Sequence, residues 1–304
     1  MTVMNRLSVL VSALLMLAGC AQHRVMERPV AVEMAPTTTA PVAPAVAAND
    51  NLNAIAWTQT AIEHDLIYLQ TYRDASGRLD QALADPSWDA LASDERGNGS
   101  LRKMKPAVIL DIDETALDNS PYQARLVLDG NAYDEFTWAE WCKEQKARAM
   151  PGAVEFARQA DSKGITVLYL SNRAADLNEV TLANLAKVGF PIKAGEKVFL
   201  GLGTFVKDCE QNGSEKGCRR KLVAQQYRVL MQFGDQIGDF VDVSANTSEG
   251  RRAAVEPYLG WIGERWYVLP NPTYGSWEPA LFNNAWSQPA DVRRQGKLDG
   301  LRRD

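Results

Sequence analysis

The amino-acid sequence predicts an α/β fold in which a mostly parallel sheet is covered by helices on both faces. Short apolar runs that read as strands alternate with stretches of helical periodicity, and this alternation is typical of a parallel sheet. Sites in such folds form beyond the carboxyl ends of the strands. The apolar runs lie at residues 107–110, 165–170, 197–200, 229–233 and 266–269.

Helices are predicted before the first strand and between later strands. Residues 51–73 have an amphipathic pattern, and we expect the apolar residues of this helix to face the core. Residues 152–164 and 177–189 are also helical in pattern, and Gly189 suits a helix carboxyl terminus. The apolar stripe of the first helix consists of Leu52, Ile55, Ile62, Leu66 and Leu69.

Composition and charge exclude several classes of function. The chain has 304 residues, a net charge of −5 and no long basic run, so we expect no binding of nucleic-acid polymers. With only His23 and His64 in the chain, a histidine phosphatase or a histidine-rich metal site is disfavoured. Cys142 and Arg148 have the spacing of cysteine-dependent phosphatases, but the residues between them read as helix and not as a phosphate-binding loop.

The first 49 residues predict export and anchoring. Residues 1–19 carry Arg6, an apolar run and small residues before Cys20, and they are too short to span a membrane. This segment resembles a bacterial lipoprotein signal, which implies that Cys20 is lipidated, for example with palmitate, and becomes the mature amino terminus. Ordinary signal cleavage is the alternative. Residues 20–49 are rich in Pro and Ala and predict an extended tether, so we expect a lipid-anchored protein of the bacterial outer membrane.

Acidic side chains follow the first predicted strand in the stretch AVILDIDETALDNSPY, at residues 107–122. Asp111 could attack phosphorus as a nucleophile, and Asp113 could serve as general acid and base. Ser171 follows the second strand and Asp235 the fourth, so all four should meet at one edge of the sheet. Mg²⁺ would make this clustering of acids tolerable, with Asp235 as its remote ligand.

The motifs DIDET, Ser171, a following lysine and GDQIGDF resemble the four-motif signature of the haloacid dehalogenase (HAD) superfamily. DIDETALDNSPY, RAMPGAVEF and VLPNPTYGSWE are similar to the class C bacterial acid phosphatases, lipoprotein enzymes of the outer membrane that also act as 5′-nucleotidases. The resemblance runs from about Trp57 to Leu281. It implies a phosphoric monoester hydrolase domain at residues 50–285, followed by a polar carboxyl-terminal tail at 286–304.

The resemblance also implies roles for individual residues. Mg²⁺ would be held by the Asp111 carboxylate, the Asp113 carbonyl and Asp235. Ser171 would hydrogen-bond the phosphoryl group together with the third-motif lysine, for which Lys216 is favoured and Lys221 is the alternative. Asp239 would not bind the metal directly but would order a metal-bound water or the lysine.

Substrate choice is expected to come from residues 119–150, which are long enough for a small helical cap inserted after the first catalytic strand. Tyr122, Trp138 and Tyr274 are the predicted substrate-binding residues. The resemblance places Trp138 and Tyr274 where aromatic rings stack on a nucleobase or aryl ring. The expected substrates are therefore small phosphomonoesters, namely nucleoside monophosphates and aryl phosphates.

The sequence departs from the family pattern at two positions. Gln236 stands where Asn is expected, and Ser171 where Thr is expected. Cys209 and Cys218 bracket a polar loop and could close a small disulfide in an oxidising compartment.

Other functions compatible with this scaffold differ in class. One is a surface lipoprotein that mainly binds a ligand such as haem, with little hydrolysis. Another is a phosphotransferase that passes the phosphoryl group to an alcohol. The intact set of acids disfavours a pure binding protein, because such a protein would have no use for Asp113.

Overall fold

The computed structural model describes residues 49–97, 99–193, 195–211 and 213–303. The predicted signal segment, Cys20 and the tether as far as residue 48 lie outside these ranges. Within them, no helix has both the length and the hydropathy needed to cross a membrane.

A sheet of five parallel strands forms the centre of the fold, as the sequence predicts. The first strand lies in the middle of the sheet, and its residues 107–110 are fully buried, which explains their uninterrupted apolar character. Across the sheet the order is β5 (Phe199–Leu202), β4 (Thr166–Ala174), β1 (Lys105–Leu110), β6 (Tyr227–Gly234) and β7 (Trp266–Val268).

Helices connect and cover these strands. The second and fifth pack against each other and on β6 and β4, and the seventh packs on β6. In chain order the helices are α1 (Leu52–Thr60), α2 (Ile62–Ala84), α3 (Ser120–Asp129), α4 (Glu135–Glu144), α5 (Ala153–Ser162), α6 (Asn178–Val188), α7 (Gly217–Ala224), α8 (Ser248–Val255) and α9 (Ala290–Asp299).

The first predicted helix is two helices in the structure. The prediction of its buried face is mostly wrong, because three of the five residues in the predicted apolar stripe are exposed. Ala61 has an extended backbone (φ −80°, ψ 121°) and separates α1 from α2, which continues to Ala84. Ile55 is buried as expected. The exposed members of the predicted stripe are Leu52, Ile62 and Leu66.

Tyrosines occupy the buried face of α2 instead of the predicted leucines and isoleucine. Tyr68 and Tyr72 are fully buried, and their hydroxyl groups donate to the backbone carbonyls of Glu114 and Thr115. A tyrosine ring buries a large apolar area, and the carbonyls accept the hydrogen bond of its hydroxyl group. Burial of Tyr68 and Tyr72 is therefore more favourable than burial of Leu66, and α2 turns the tyrosines toward the core. Because both carbonyls belong to the loop after β1, α2 also supports the predicted site.

The predicted cap at residues 119–150 corresponds to a distinct insertion. Two short antiparallel strands, β2 (Leu117–Asp118) and β3 (Arg148–Ala149), pair at its base. Helices α3 and α4 lie between them, so the small helical cap after the first catalytic strand is present as predicted.

Two of the differences from the predicted segments concern the end of β4 and the carboxyl-terminal residues. Strand β4 continues to Ala174, so Ser171 lies within its carboxyl end and not after it. Residues 286–304, predicted as a polar tail, contain α9, which packs on a 3₁₀ turn at Pro279–Phe282. An ion pair of 3.0 Å between Arg294 and Asp50 links this helix to the segment just before α1.

We expect Leu79→Ala in α2 to lower the free energy of unfolding by about 2–5 kcal/mol, because the Leu79 side chain is fully buried. The matched control is Leu66→Ala on the same helix, which should change it by only about 0.5 kcal/mol, because Leu66 is 51% exposed. Chemical denaturation of both variants measures the difference. Equal losses would contradict the observed orientation of α2.

Candidate active site

The predicted acidic residues meet at the carboxyl ends of three neighbouring strands. Asp111 follows β1, Asp235 follows β6, and Asp239 ends the 3₁₀ turn at Ile237–Asp239. Carboxylate oxygens of these three residues lie within 4.8 Å of one another. The hydroxyl group of Ser171, at the end of β4, donates to Asp113 Oδ2 at 3.2 Å. The structure thus brings together the four acids and the serine that the sequence singles out.

Lys216 enters this acidic cluster from the residue before α7. Its ammonium group contacts Asp111 Oδ1, lies 2.7 Å from Asp239 Oδ1, and donates to the Leu170 carbonyl at 2.8 Å. Burial lowers its pKa, but the attraction of the two carboxylates outweighs burial and leaves the pKa above its usual range. Lys216 is therefore a cation in the site, whereas Lys221 lies half-buried on α7.

Electrostatic repulsion and burial strain the acidic cluster. Burial raises the pKa of Asp111 well above its usual range; Lys216 opposes this shift, and the carboxylates of Asp239, Asp235 and Asp113 add to it. Burial and the Asp239 carboxylate also raise the pKa of Asp235 to about 7. One ammonium group is thus insufficient to stabilise all the carboxylates in their ionised form.

The carboxylate oxygens in this cluster fit a divalent metal ion as ligands. Carboxylate oxygens are the ligands that hard cations prefer, and Asp111, Asp235 and Asp239 present them within one small space. Asp235 Oδ2 is oriented by Gln236 Nε2 at 2.7 Å and Asn271 Nδ2 at 2.8 Å. Gln236, in place of the expected Asn, therefore still hydrogen-bonds the neighbouring aspartate.

Close packing holds Asp239 in place. Asp239 Oδ2 accepts a hydrogen bond from the Gln236 backbone N–H at 2.8 Å. A Cβ atom on Gly234 would lie only 2.2 Å from Asp239 Oδ2, so only glycine fits at the end of β6. The first glycine of GDQIGDF therefore makes room for the last aspartate of the same motif.

Asp113 lies in a separate set of contacts from Asp111. Asp113 Oδ1 accepts hydrogen bonds from Asn119 Nδ2 at 2.8 Å and from Arg173 Nε at 2.9 Å, and Arg173 Nη2 lies 2.8 Å away. Arg173 is buried and also donates to Asn119 Oδ1 at 3.3 Å. These two residues fix the position of the carboxylate that the sequence predicts as general acid and base.

Glu114, the third acid of the DIDET motif, is buried beside the acidic cluster. Its backbone has a positive φ of 55°, a conformation that non-glycine residues adopt mainly where surrounding contacts impose it. Glu114 Oε1 accepts from the Asn119 backbone N–H at 2.8 Å, and Oε2 accepts from the Tyr274 hydroxyl group. Burial and the carboxylates of Asp113 and Asp235 raise its pKa well above the usual range. Glu114 therefore ties the loop after β1 to the loop that carries Tyr274.

The predicted substrate-binding aromatics of the cap pack on one another. Tyr122 is buried, and its hydroxyl group lies 3.0 Å from Thr137 Oγ1. Trp138 is 9% exposed, stands edge-on to Tyr122 at 5.1 Å, and has the Arg173 guanidinium 5.4 Å from its ring centre. Tyr133, which sequence analysis did not consider, lies 6.3 Å from Trp138 and is 53% exposed. The cap thus presents a connected aromatic cluster above Arg173.

The two cysteines that bracket the polar loop form a disulfide in the structure, between Cys209 and Cys218. Cys218 lies in the first turn of α7, two residues after Lys216. Cys142 is a free, buried thiol on α4, and burial raises its pKa to about 12. A thiol that is so difficult to ionise is a poor nucleophile, which agrees with rejection of the cysteine-phosphatase motif.

Sequence analysis assigned no role to Arg173 or Asn119, although Arg173 belongs with Ser171 to the polar cluster after the second predicted strand. A sequence signal existed for Arg173, because residues two apart in a strand lie on the same face, and Arg173 is two residues after Ser171. For Asn119 no such signal existed. Its contacts depend on where the cap begins relative to the loop after β1.

Fold and site together define a member of the HAD superfamily, with the nucleophile candidate after the central strand and a cap beyond it. A model of the family described as HAD superfamily, subfamily IIIB (acid phosphatase), matches residues 16–277. Because this match covers most of the chain, the chain belongs to that family. The family is one of phosphoric monoester hydrolases, as the sequence predicts.

Curated relatives match the chain over part of their length. The stem 28 kDa glycoprotein of Glycine max is 28% identical over 171 residues, which are 56% of this chain and 60% of that protein. Acid phosphatase 1 of Solanum lycopersicum is 26% identical over 167 residues, 55% of this chain and 57% of that protein. The chain thus spans less than two thirds of the length of these relatives.

Solved structures match more completely. The class C acid phosphatase from Bacillus anthracis is 33% identical, with a TM-score of 0.70, and the match covers 84% of this chain and 97% of that chain. A second structure of that enzyme, with tungstate bound, gives a TM-score of 0.71. The predicted resemblance to class C bacterial acid phosphatases is therefore confirmed.

Proposed function

We propose that this protein is a Mg²⁺-dependent phosphomonoesterase that hydrolyses nucleoside monophosphates and aryl phosphates through an aspartyl-phosphate intermediate on Asp111. The observation that carries the proposal is the Lys216 ammonium group between Asp111 and Asp239. It places a positive charge directly beside the candidate nucleophile, where the oxygens of a phosphoryl group would need it. Tungstate, a tetrahedral oxyanion like phosphate, is bound in the Bacillus anthracis relative.

In the first half of the reaction, an Asp111 carboxylate oxygen attacks phosphorus and the bond between phosphorus and the ester oxygen breaks. Asp113 donates a proton to the departing alcohol or nucleoside oxygen. Arg173 and Asn119 hold the Asp113 carboxylate while this proton moves. Ser171 and Lys216 bind the phosphoryl oxygens.

In the second half, Asp113 removes a proton from water, and the water oxygen attacks phosphorus. The bond between phosphorus and Asp111 breaks, which releases inorganic phosphate and regenerates the carboxylate. Asp111, Asp235 and the Asp113 carbonyl are the proposed Mg²⁺ ligands, with Asp239 beside them. When bound, Mg²⁺ supplies positive charge that neutralises the acids and the phosphoryl group.

We expect Asp111→Asn to abolish release of phosphate from p-nitrophenyl phosphate, because the amide is not a nucleophile. EDTA should abolish wild-type turnover, and added Mg²⁺ should restore it. The matched control is Asp129→Asn, which makes the same change of charge at an exposed position in the cap and should retain full activity. Undiminished turnover by Asp111→Asn would contradict the covalent mechanism.

Ring stacking by Trp138 predicts a substrate-dependent effect. In Trp138→Ala we expect KM for a nucleoside monophosphate to rise roughly tenfold, since stacking on a base is worth about 1–3 kcal/mol. KM for glycerol phosphate, which has no ring, should stay near its wild-type value and serves as the internal control. A similar rise for both substrates would show that Trp138 supports the cap and does not contact the ring.

We further propose that the protein is a lipoprotein of the bacterial outer membrane, anchored through Cys20. The proposal rests on the short apolar segment and the small residues before Cys20. Cys20→Ala should eliminate labelling of the full chain by radioactive palmitate and shift the protein from the membrane to the soluble fraction of cells. Retention of the variant in the membrane fraction would contradict the anchor, and Cys142→Ala is the control for labelling at another cysteine.

A further inference from the structure

Helix α7 carries two neighbouring buried arginines whose partners differ. Arg220 donates to the Glu95 carboxylate, lies 2.8 Å from Asp242 Oδ1, and donates to the Gly238 carbonyl at 2.8 Å. Arg219 is also fully buried, but its contacts are with carbonyl and side-chain amide oxygens. A buried guanidinium group is costly to desolvate unless its contacts are well formed. The contacts of Arg219 therefore need an explanation.

The Arg219 guanidinium group joins three segments around the phosphate site. Nη1 donates to the Ser171 carbonyl at 2.5 Å and lies 3.4 Å from the Leu200 carbonyl on β5. Nη2 donates to Asn172 Oδ1 at 2.6 Å and to the Glu215 carbonyl at 3.1 Å. Arg219 thus links the end of β4 and the middle of β5 to the segment that carries Lys216.

The contact with the Ser171 carbonyl acts on the residue that is expected to bind the phosphoryl group. Ser171 is fully buried, its hydroxyl group donates to Asp113, and its carbonyl accepts from Arg219. The Ser171 carbonyl and the Asn172 N–H belong to one planar peptide group, so holding the carbonyl also fixes the direction of the N–H. The second contact, with the Asn172 side chain, restricts rotation of the same segment of β4.

Other features keep Arg219 in this position. The disulfide between Cys209 and Cys218 tethers the residue just before Arg219. Burial and the neighbouring Arg220 lower the pKa of Arg219 to about 10, so the group remains charged at neutral pH. Its Nε atom has no hydrogen-bond partner in the part of the chain that the structure describes, so the contacts given above all come from the two terminal nitrogens.

We propose that Arg219 is a positioning residue of the phosphate site, which holds the Ser171–Asn172 segment of β4 in its binding conformation without touching the phosphoryl group. The inference rests on the proposed phosphatase function. Lysine at this position would keep the charge but lose the planar fork, in which Nη1 and Nη2 reach the Ser171 carbonyl and the Asn172 side chain from two fixed positions.

The test uses the full chain with Mg²⁺ and measures the affinity for inorganic phosphate by calorimetry, together with kcat and KM for p-nitrophenyl phosphate. Arg219→Lys should weaken phosphate binding and raise KM by roughly tenfold, the expected effect of losing a positioned charged hydrogen bond. The change in kcat should be smaller. Asn172→Ala should also weaken phosphate binding. The double variant should bind phosphate no more weakly than Arg219→Lys, because both substitutions break the same contact between Arg219 and Asn172.

Arg228→Lys is the matched control. Arg228 is a buried arginine at the opposite end of the sheet, and it donates to the backbone carbonyls of Ala82 and Leu83 at 3.2 Å. Its substitution should lower thermal stability about as much as Arg219→Lys does, yet leave phosphate affinity at the wild-type value. If Arg219→Lys does not fold, the exposed Asn172 carries the test, and unchanged phosphate affinity in Asn172→Ala overturns the proposal.

Failure of this proposal is distinguishable from failure of the proposed function. If the wild-type protein hydrolyses substrate and Arg219→Lys binds phosphate with unchanged affinity, the role of Arg219 is overturned and the proposed function stands. Equal losses of affinity in Arg219→Lys and Arg228→Lys, or additive losses in the double variant, also overturn it. A wild-type protein that neither binds phosphate nor hydrolyses any phosphomonoester overturns the proposed function and this inference with it.

Discussion

The Lys216 ammonium group between Asp111 and Asp239 is the interaction on which the rest of the site depends. Asp111, Asp235 and Asp239 lie close together in a buried space, where mutual repulsion and desolvation disfavour ionised carboxylates. One ammonium group balances one of these three charges. The remaining two negative charges equal the charge that a divalent cation would neutralise, which is the electrostatic reason to propose Mg²⁺ at this position. Asp113 adds to the repulsion at Asp111, but its own charge is paired by Arg173 and is therefore left out of this count.

Helix α7 positions the charged groups of the site relative to the strand ends. Lys216 precedes the helix and reaches Asp111 at the end of β1, while Arg220 donates to the Gly238 and Asp239 carbonyls after β6. Arg219, on the same helix, donates to the Ser171 carbonyl at the end of β4. One short helix therefore sets the relative positions of three strand ends. This arrangement explains why a segment that reads as a polar loop is deeply buried at residues 216–220.

The sequence predicts the sheet and the acids well because both depend on local patterns. A buried parallel strand needs an apolar run, and the DIDET and GDQIGDF motifs place aspartates at the ends of two such runs. The buried face of α2 could not be predicted in the same way, since Tyr68 and Tyr72 are buried only because carbonyls of the loop after β1 accept their hydroxyl groups. Arg173 and Arg219 are similar cases. Arginines are mostly exposed, and their burial here is determined by partners from distant parts of the chain.

The contacts of Arg173 connect the proposed recognition of the substrate ring with the proposed transfer of protons. Its guanidinium group holds Asp113 Oδ1 on one side and lies over the Trp138 ring of the cap on the other. Asn119 makes a second connection, because it donates to Asp113 and accepts from Trp141 Nε1 at 2.8 Å. A shift of α4 would therefore move both partners of the acid and base carboxylate. The cap is thus more than a wall of the proposed substrate pocket, since its position determines the orientation of the carboxylate that we propose protonates the leaving oxygen.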